Sequence, residues 1–277
     1  MKSPISCLKS VVTGILVLYS LAGLPAGAAT GLPFSSSFET GDFSEWDGGL
    51  DATMTVTSEQ ASDGSYSVRA VKQSGQTADN YKDFLFGDHS RVGGTPVTPQ
   101  TGVWLRLDSK FDTGFVFGSN AIMHKIAIIN FEDENARRRY QIIINVESRT
   151  REYFVEHLKW NADRSFNRAF PGMRQNVGTP VQPRLGEWDR LTLFLRPNTP
   201  GNADGEVRLW VNGQLKAEYR NVSVREDSPY NPNKLIMSNH VSDTTTSGVQ
   251  RWDNFYLGES QPQEVARPMP PQDVRVE

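Results

Sequence analysis

The stretch that decides the fold is residues 186–224, GEWDRLTLFLRPNTPGNADGEVRLWVNGQLKAEYRNVSV. Within it, residues 206–211 and 214–219 alternate apolar and polar side chains and are joined by Asn212-Gly213. This pair tolerates the positive φ angles of a tight type I′ turn, so the pattern predicts a β-hairpin. A third strand is predicted just before it, at residues 188–196, because leucine recurs there at every second position.

Short alternating segments of the same kind recur along most of the chain and predict further strands. They lie at residues 34–46 (with a turn), 53–57, 66–71, 104–111, 122–131, 140–147, 153–160, 234–241 and 249–257. Glycine and proline in residues 79–99 predict a long irregular loop. No stretch has the periodicity of a long helix or a repeat. The predicted fold class is therefore all-β, a sandwich of two antiparallel sheets in jelly-roll order.

The start of the chain predicts export from the cytoplasm. Residues 1–28 carry two lysines, an apolar run and a small-residue cleavage site, which is typical of a secretory signal peptide. The apolar run is shorter than the ~20 residues of a membrane span, and no other stretch comes close. We therefore expect a secreted protein, periplasmic or extracellular, with no membrane span.

The remaining composition indicates one ordinary globular domain of a 277-residue chain that is 37% hydrophobic and 22% charged. Its only cysteine, Cys7, lies in the predicted leader, so the mature chain has no disulfide and no cysteine site. The leader has two lysines and no acid, so its removal takes the net charge from -3 to -5, which argues against nucleic acid as a partner. We expect a monomer with a domain at residues 30–258 and a proline-rich tail or linker at 259–277.

The chain also resembles a known family. The strand that begins at Trp188, the loop at residues 198–205, and Trp210 followed by Val211-Asn212-Gly213 are similar to secreted concanavalin A-like β-sandwiches. The greatest similarity is to polysaccharide lyases of the alginate, glucuronan and heparin lyase I type. FETGDFSEW at residues 38–46 and RWDNFYL at residues 251–257 agree with this. The resemblance spans about the whole mature chain and implies a concanavalin A-like jelly roll.

The resemblance implies a lyase that cleaves a uronate-containing polysaccharide by β-elimination. The reaction needs a group that neutralises the uronate carboxylate, a base and an acid. In lyases of this kind, Gln, Asn or Arg takes the first role, and His and Tyr transfer protons. By residue type, Gln141 and Asn145 are the candidate neutralisers, His157 or His124 the base, and Tyr153 the acid. All but His124 are expected on one face of a hairpin, if its two strands point the same way.

Spacing along the strand restricts how these candidates work together. Tyr153 and His157 are four residues apart, about 13 Å at ~3.3 Å per residue, so each needs a partner on a neighbouring strand. We expect His157 to act with Gln141, and Tyr153 to serve as an acid or in sugar binding. His124 is expected to be structural, since the adjacent lysine and His124 cannot both face the groove. His240 could reach the groove or be buried, and His89 lies in the glycine-rich loop.

Basic residues are predicted to bind an anionic polysaccharide along one groove of an acidic protein. They are Arg106, Arg139, Lys159, Arg168 and Arg174. Binding through such charges is expected to be sensitive to salt. The alternative is a non-catalytic, lectin-like carbohydrate-binding module, in which aromatic residues stack on sugars and no base is poised.

A structural calcium ion is also expected. Glu39, the turn at Gly64 and Asp253 resemble the calcium site on the convex side of many carbohydrate-active jelly rolls, and calcium prefers carboxylate and carbonyl oxygens. The alternative is that the two acids cap strands or pair with arginine. A zinc site is disfavoured because no His-x-x-x-His cluster occurs. A retaining glycosidase is disfavoured because the acids at residues 132–134 are contiguous and would scatter rather than face a sugar.

Overall fold

The computed structural model describes residues 31–263 except 51, 77–78, 120–122, 162, 164, 169–171 and 242. The predicted signal peptide at 1–28 and residues 264–277 of the predicted tail lie outside the described residues. The described part of the chain consists of strands and loops, and no helix in it could cross a membrane. The strands are β1 Phe34–Ser36, β2 Gly48–Leu50, β3 Met54–Thr57, β4 Ser67–Lys72, β5 Tyr81–Leu85, β6 Val103–Phe111, β7 Met123–Glu132, β8 Arg138–Glu147, β9 Tyr153–Trp160, β10 Phe166–Arg168, β11 Trp188–Arg196, β12 Gly205–Val211, β13 Gln214–Val222, β14 Pro232–Ser238 and β15 Gly248–Gly258.

These strands form two antiparallel sheets, which confirms the predicted fold class. The eight-stranded sheet has the order β13-β12-β11-β6-β15-β4-β3, with β1 paired to β15. The seven-stranded sheet has the order β10-β9-β8-β7-β14-β5-β2. Strands far apart in sequence are neighbours in both sheets, as in other jelly rolls. The ladder β10-β9-β8-β7 is formed in sequence order, and β14 and β5 complete it from distant parts of the chain.

The predicted hairpin joins β12 to β13. Asn212 and Gly213 have φ angles of 51° and 76°, as a type I′ turn requires. The Asn212 side chain also ties the turn to β11, because its Oδ1 accepts the Arg190 N–H at 2.8 Å and its Nδ2 donates to Asp189 at 2.7 Å. The turn therefore holds three strands in register.

Leucines and valines of adjacent strands fill the centre of the eight-stranded sheet. Leu193 on β11 lies between Leu105 on β6 and Leu209 on β12, and all three are fully buried. Burying one such side chain stabilises the fold by roughly 1.5–3 kcal/mol. The two-residue alternation that predicted β11 thus becomes its inward face.

The predicted loop at residues 79–99 contains a strand, β5, that the sequence pattern did not reveal. It pairs with β14, which is distant in sequence, and with β2, which has only three residues. Neither partner could be recognised from the local sequence. Tyr81 and Asp83 face away from the core while Phe84 is fully buried. The strand places Tyr81 beside Ser238 on β14.

Candidate active site

The face of the seven-stranded sheet that points away from the core forms a groove of about 760 Å³. Its floor is a separate apolar cluster of buried residues: Ile128, Ile143, Leu158 and Ile236. Two exposed apolar side chains line it at the edge strands, Leu50 on β2 and Phe166 on β10. A concave site of this size, with an apolar floor and a few polar groups, is the usual form of a ligand-binding site.

His240, just after β14, is oriented by a carboxylate. Its Nδ1 lies 3.0 Å from Asp79 Oδ1. An ionised carboxylate only accepts hydrogen bonds, so Nδ1 carries the proton and Nε2 of the neutral ring is left as an acceptor. Both residues line the groove. This arrangement is that of a histidine prepared to accept a proton.

Lys125 is the cation beside this histidine. Its backbone N–H donates to the His240 carbonyl at 3.3 Å, and its side chain lines the groove. Burial lowers the pKa of His240 below the usual 6.5, and the Lys125 charge lowers it further, while Asp79 raises it. Burial also lowers the pKa of Lys125, and the charge of Glu156 opposes that shift. At neutral pH the ring of His240 is therefore uncharged.

Tyr81 completes this end of the groove. It pairs across strands with Ser238, two residues before His240, and packs against the apolar floor. Its side chain is half-buried and lines the groove. We call this set, Tyr81, Lys125 and His240 with Asp79, the His240 region.

A second set of residues lines the groove over β8, β9 and β10. Trp160 on β9 donates its indole N–H to Gln141 Oε1 at 2.8 Å. The Arg138 guanidinium lies over the Trp160 ring, 4.3 Å from its centre. Phe166 on β10 packs beside the same ring at 5.2 Å. We call Arg138, Trp160 and Phe166 the Trp160 region.

The predicted shared face for Gln141, Asn145, Tyr153 and His157 is wrong. His157 pairs with Ile142 across the β8–β9 ladder, and directly opposed residues share a face, so His157 points into the sandwich core. Tyr153, four residues away on the same strand, does the same. Both are almost completely buried, on the far side of the sheet from the groove, and neither contacts it.

The hydrogen bonds of His157 and Tyr153 agree with their positions in the core. His157 Nε2 lies 2.8 Å from the Val224 carbonyl oxygen, and Tyr153 donates its hydroxyl to Asp189 at 2.9 Å. Burial lowers the pKa of His157 to about 4 and raises the pKa of Tyr153 well above its usual value. These are satisfied core residues rather than groups that exchange protons with a sugar.

Gln141 and Asn145 lie on the groove side of β8, as predicted, but neither has exposed surface. Gln141 sits behind Trp160, and Asn145 faces Lys125 across the β7–β8 ladder. Both therefore support groove residues from beneath. His124 is buried against Phe115 and Phe117, which agrees with the structural role expected for it.

The expectation that five basic residues share one groove is also wrong. Arg106 lies on the eight-stranded sheet, where it donates to the Gln263 carbonyl at 3.0 Å. Arg139 stacks on Tyr230, 5.8 Å from its ring centre, and does not line the groove. The alternation of polar and apolar residues predicted on which face of its strand each basic residue lies. It did not predict to which of the two sheets each strand belongs.

The other three basic residues are spread along the sheet edge. Lys159 pairs with Glu226. Arg174 makes two hydrogen bonds to Glu147 at 2.6 and 2.8 Å. Arg168 pairs through its backbone within β10, and its side chain is outside what the structure describes. The cations that do line the groove are Lys125, Arg138 and Lys234.

The acids of the predicted calcium site already accept backbone hydrogen bonds. Glu39 accepts the N–H groups of Ser65 and Tyr66 at 2.9 Å. Asp253 accepts those of Ser62 and Asn254 at 2.7 Å. Among the described residues no group of three His, Cys, Asp or Glu could hold a metal. These N–H donors use part of the acceptor capacity of the two carboxylates, whereas calcium prefers oxygen ligands on every side.

Calcium binding therefore stays a prediction for measurement. Gly64 lies against the Glu39 carboxylate, where an added Cβ would come within 2.5 Å of Oε1, so the turn is closely packed on that acid. A melting temperature that falls on adding chelator, and no longer falls in Asp253→Ala, would support the site.

Sequence reasoning missed Tyr81, Lys125 and Arg138. Tyr81 fell in a predicted loop. Lys125 had a usable signal, because it adjoins His124 and one of two adjacent strand residues must face outward. Arg138 lay between the strands predicted at residues 122–131 and 140–147, and no local pattern indicates that its guanidinium lies on Trp160.

Comparisons with known proteins agree with this architecture. No curated protein sequence matches the chain. The structure is similar to endo-β-1,4-glucuronan lyase from Trichoderma reesei (TM-score 0.57, 14% identity, covering 82% of this chain and 95% of the other). It is also similar to the PL-14 alginate lyase of Aplysia kurodai (0.52, 12%, 76% and 88%) and to the cellulose induced protein Cip1 (0.52, 13%, 82% and 98%). At such identities these similarities show the fold. A family model described as polysaccharide lyase matches residues 38–232, more than half of the sequence, and the chain therefore belongs to the polysaccharide lyase family.

Proposed function

We propose that the protein cleaves a uronate-containing polysaccharide by β-elimination in the groove of the seven-stranded sheet. The observation that carries the proposal is the neutral, carboxylate-oriented His240 beside Lys125. Family membership supports the reaction class. The residues that carry it differ from those that the sequence pattern favoured.

Each group of the His240 region has a distinct role in this reaction. His240 Nε2 takes the proton from the carbon next to the uronate carboxylate. Lys125 binds that carboxylate and stabilises the negative charge that builds on it. As the carbon–carbon double bond forms, the bond to the leaving oxygen breaks, and Tyr81 donates a proton to that oxygen. Asp79 holds the His240 ring in the tautomer that the first step needs.

The competing function is sugar binding without catalysis. Trp160 is half-buried and Phe166 is exposed at the groove edge, so both could stack on sugar rings. Such a lectin-like protein would use the same groove. The difference between the two functions is whether His240 abstracts a proton.

The substrate test is to incubate the purified protein with glucuronan, alginate, heparin or a neutral β-glucan. The unsaturated product of elimination absorbs in the ultraviolet. We expect absorbance to rise with at least one of the uronate polymers and not with the neutral one. Binding of a uronate polymer without any rise in absorbance would contradict the lyase function and support sugar binding without catalysis.

The leader supports a proposal about location. Residues 1–28 carry the pattern of a signal peptide, and the absence of cysteine from the rest of the chain is compatible with any redox compartment. We propose that the mature protein is secreted and meets its polysaccharide outside the cytoplasm. Recovery of the mature chain only from the cytoplasm would contradict this.

A further inference from the structure

The Arg138 side chain forms no ion pair with any carboxylate that the structure describes. Its guanidinium rests on the face of Trp160, 4.3 Å from the ring centre, and lines the groove. The guanidinium also forms no hydrogen bond with a described residue, although the main chain of Arg138 pairs with Glu132 across the β7–β8 ladder. Burial lowers the pKa of Arg138, and the negative charge of Glu132 opposes that shift. A guanidinium has five N–H donors arranged as a fork that matches a carboxylate.

A chain of buried hydrogen bonds fixes the indole that carries this guanidinium. Trp160 donates to Gln141 Oε1, Gln141 Nε2 donates to Asn130 Oδ1, and Asn130 Nδ2 donates to Glu132 Oε1, each at 2.8 Å. Gln141, Asn130 and Glu132 are buried. An indole N–H only donates and an ionised carboxylate only accepts, so the direction of the whole chain is determined at both ends.

His89, from the glycine-rich loop after β5, closes the far end of the chain. Its Nδ1 accepts the Arg91 backbone N–H at 3.2 Å, so Nε2 carries the proton and donates to Glu132 Oε2 at 3.1 Å. His89 is fully buried. Each oxygen of the Glu132 carboxylate therefore has its own side-chain donor.

We propose that Arg138 and Trp160 form a subsite that binds the carboxylate of a second uronate in the polysaccharide. The buried chain from His89 to Gln141 consists of positioning residues that hold the Trp160 ring. This rests on the proposed function, because it assumes that the groove binds a uronate polymer.

The second uronate is a different sugar from the one that reacts. Lys125 pairs with Asn145 on β8, and Tyr140, five residues earlier on that strand, pairs with the neighbour of Trp160. Five residues of strand span about 16 Å at ~3.3 Å per residue. We therefore place one uronate in the His240 region and the next one along the polymer at Arg138. Burial lowers the pKa of Lys125 and the charge of Arg138 lowers it further, so the two cations still act on each other.

Binding of an uncleaved ligand tests the subsite without requiring catalysis. The probe is a glucuronan or alginate oligosaccharide, titrated calorimetrically against His240→Gln protein. Adding Arg138→Gln should weaken binding by about 10-fold or more, the scale of a hydrogen bond between charged groups. The matched control is Arg139→Gln, which changes the adjacent arginine outside the groove and should leave Kd unchanged. A carboxyl-reduced oligosaccharide should bind Arg138→Gln as well as it binds the parent.

Glu132→Gln tests the positioning chain. Asn130 and His89 donate hydrogen bonds to the carboxylate, and Lys234 Nζ lies 3.5 Å from its Oε1. A glutamine has one acceptor oxygen, so it presents an amino group to donors that now face the second oxygen. We expect weaker binding and a shifted indole N–H resonance of Trp160, although Glu132 does not touch Trp160. Tyr153→Phe, which removes a buried hydrogen bond in the core, should change neither. If Glu132→Gln does not fold, His89→Leu removes one donor and His89→Gln retains it, so only the first should weaken binding.

Each result decides the proposal separately from the lyase function. Unchanged Kd in Arg138→Gln overturns the subsite. An unchanged Trp160 resonance together with unchanged Kd in Glu132→Gln overturns the positioning chain. A wild-type protein that forms no unsaturated product but needs Arg138 to bind the oligosaccharide disproves the lyase and retains the subsite.

Discussion

His240 and His157 show how position alone decides what a histidine can do. Both are neutral at pH 7 because burial lowers the pKa of each. His157 points into the core and bonds a backbone carbonyl, whereas His240 lines the groove with Asp79 on one ring nitrogen. The same side chain is therefore a core residue in one place and, in the proposed reaction, the base in the other.

Burial lowers the pKa of His240, and the charge of Lys125 lowers it further, so Lys125 contributes to the pH range in which His240 would act as a base. Neutral His240 is the form that accepts a proton, so kcat/KM should fall as pH drops through its pKa. Lys125 lowers that pKa. In Lys125→Gln this effect is lost, the pKa rises, and the acid limb of the profile should move to higher pH, in addition to the loss of rate. The measurement is elimination against pH for both proteins, and an acid limb that stays in place would exclude His240 as the base.

The sequence predicted which residue types the site needs, but it did not predict correctly which face of the sheet each candidate side chain occupies. The pattern correctly put Gln141 and Asn145 on the groove side of β8. It put His157 and Tyr153 there too, because the pairing of β8 with β9 was assumed rather than known. Side chains alternate with a period of two, so an error of one residue in register moves every side chain to the opposite face.

At the scale of the element, local turn chemistry was the most reliable guide. The β12–β13 hairpin forms where Asn212-Gly213 predicted it, since the two-residue turn fixes the register by itself. β5 was missed because its pairing with β14 joins distant parts of the chain. Local patterns predict strands that pair with their neighbours better than strands whose partners are remote.

The hairpin turn can be tested with two substitutions at Asn212. Asn212→Gly keeps an easy positive φ but loses the side-chain bonds to Arg190 and Asp189. Asn212→Ala loses the same bonds and adds backbone strain at a φ of 51°. We expect Ala to lower the free energy of unfolding by about 1 kcal/mol more than Gly does. Urea denaturation measures both, and equal losses would mean that the backbone conformation contributes nothing.

At the scale of the whole molecule, the sandwich separates stability from chemistry. One face of each sheet builds the common core, and the other face of the seven-stranded sheet is free to form the groove. The fold class could be predicted because alternation and turns recur along the entire chain. The candidate active site could not, because its residues come from β5, β7 and the end of β14, and only the assembled sheet brings them together.

The most direct test of the account compares two histidines of the same sheet in the elimination assay. His240→Gln should lower the rate of unsaturated product formation by about 10²- to 10⁴-fold, the usual cost of losing a general base. His157→Gln should retain the wild-type rate at a temperature where it stays folded, although its melting temperature falls. Elimination that survives in His240→Gln and disappears in folded His157→Gln would contradict the account, because it would place the chemistry on the core side of the sheet.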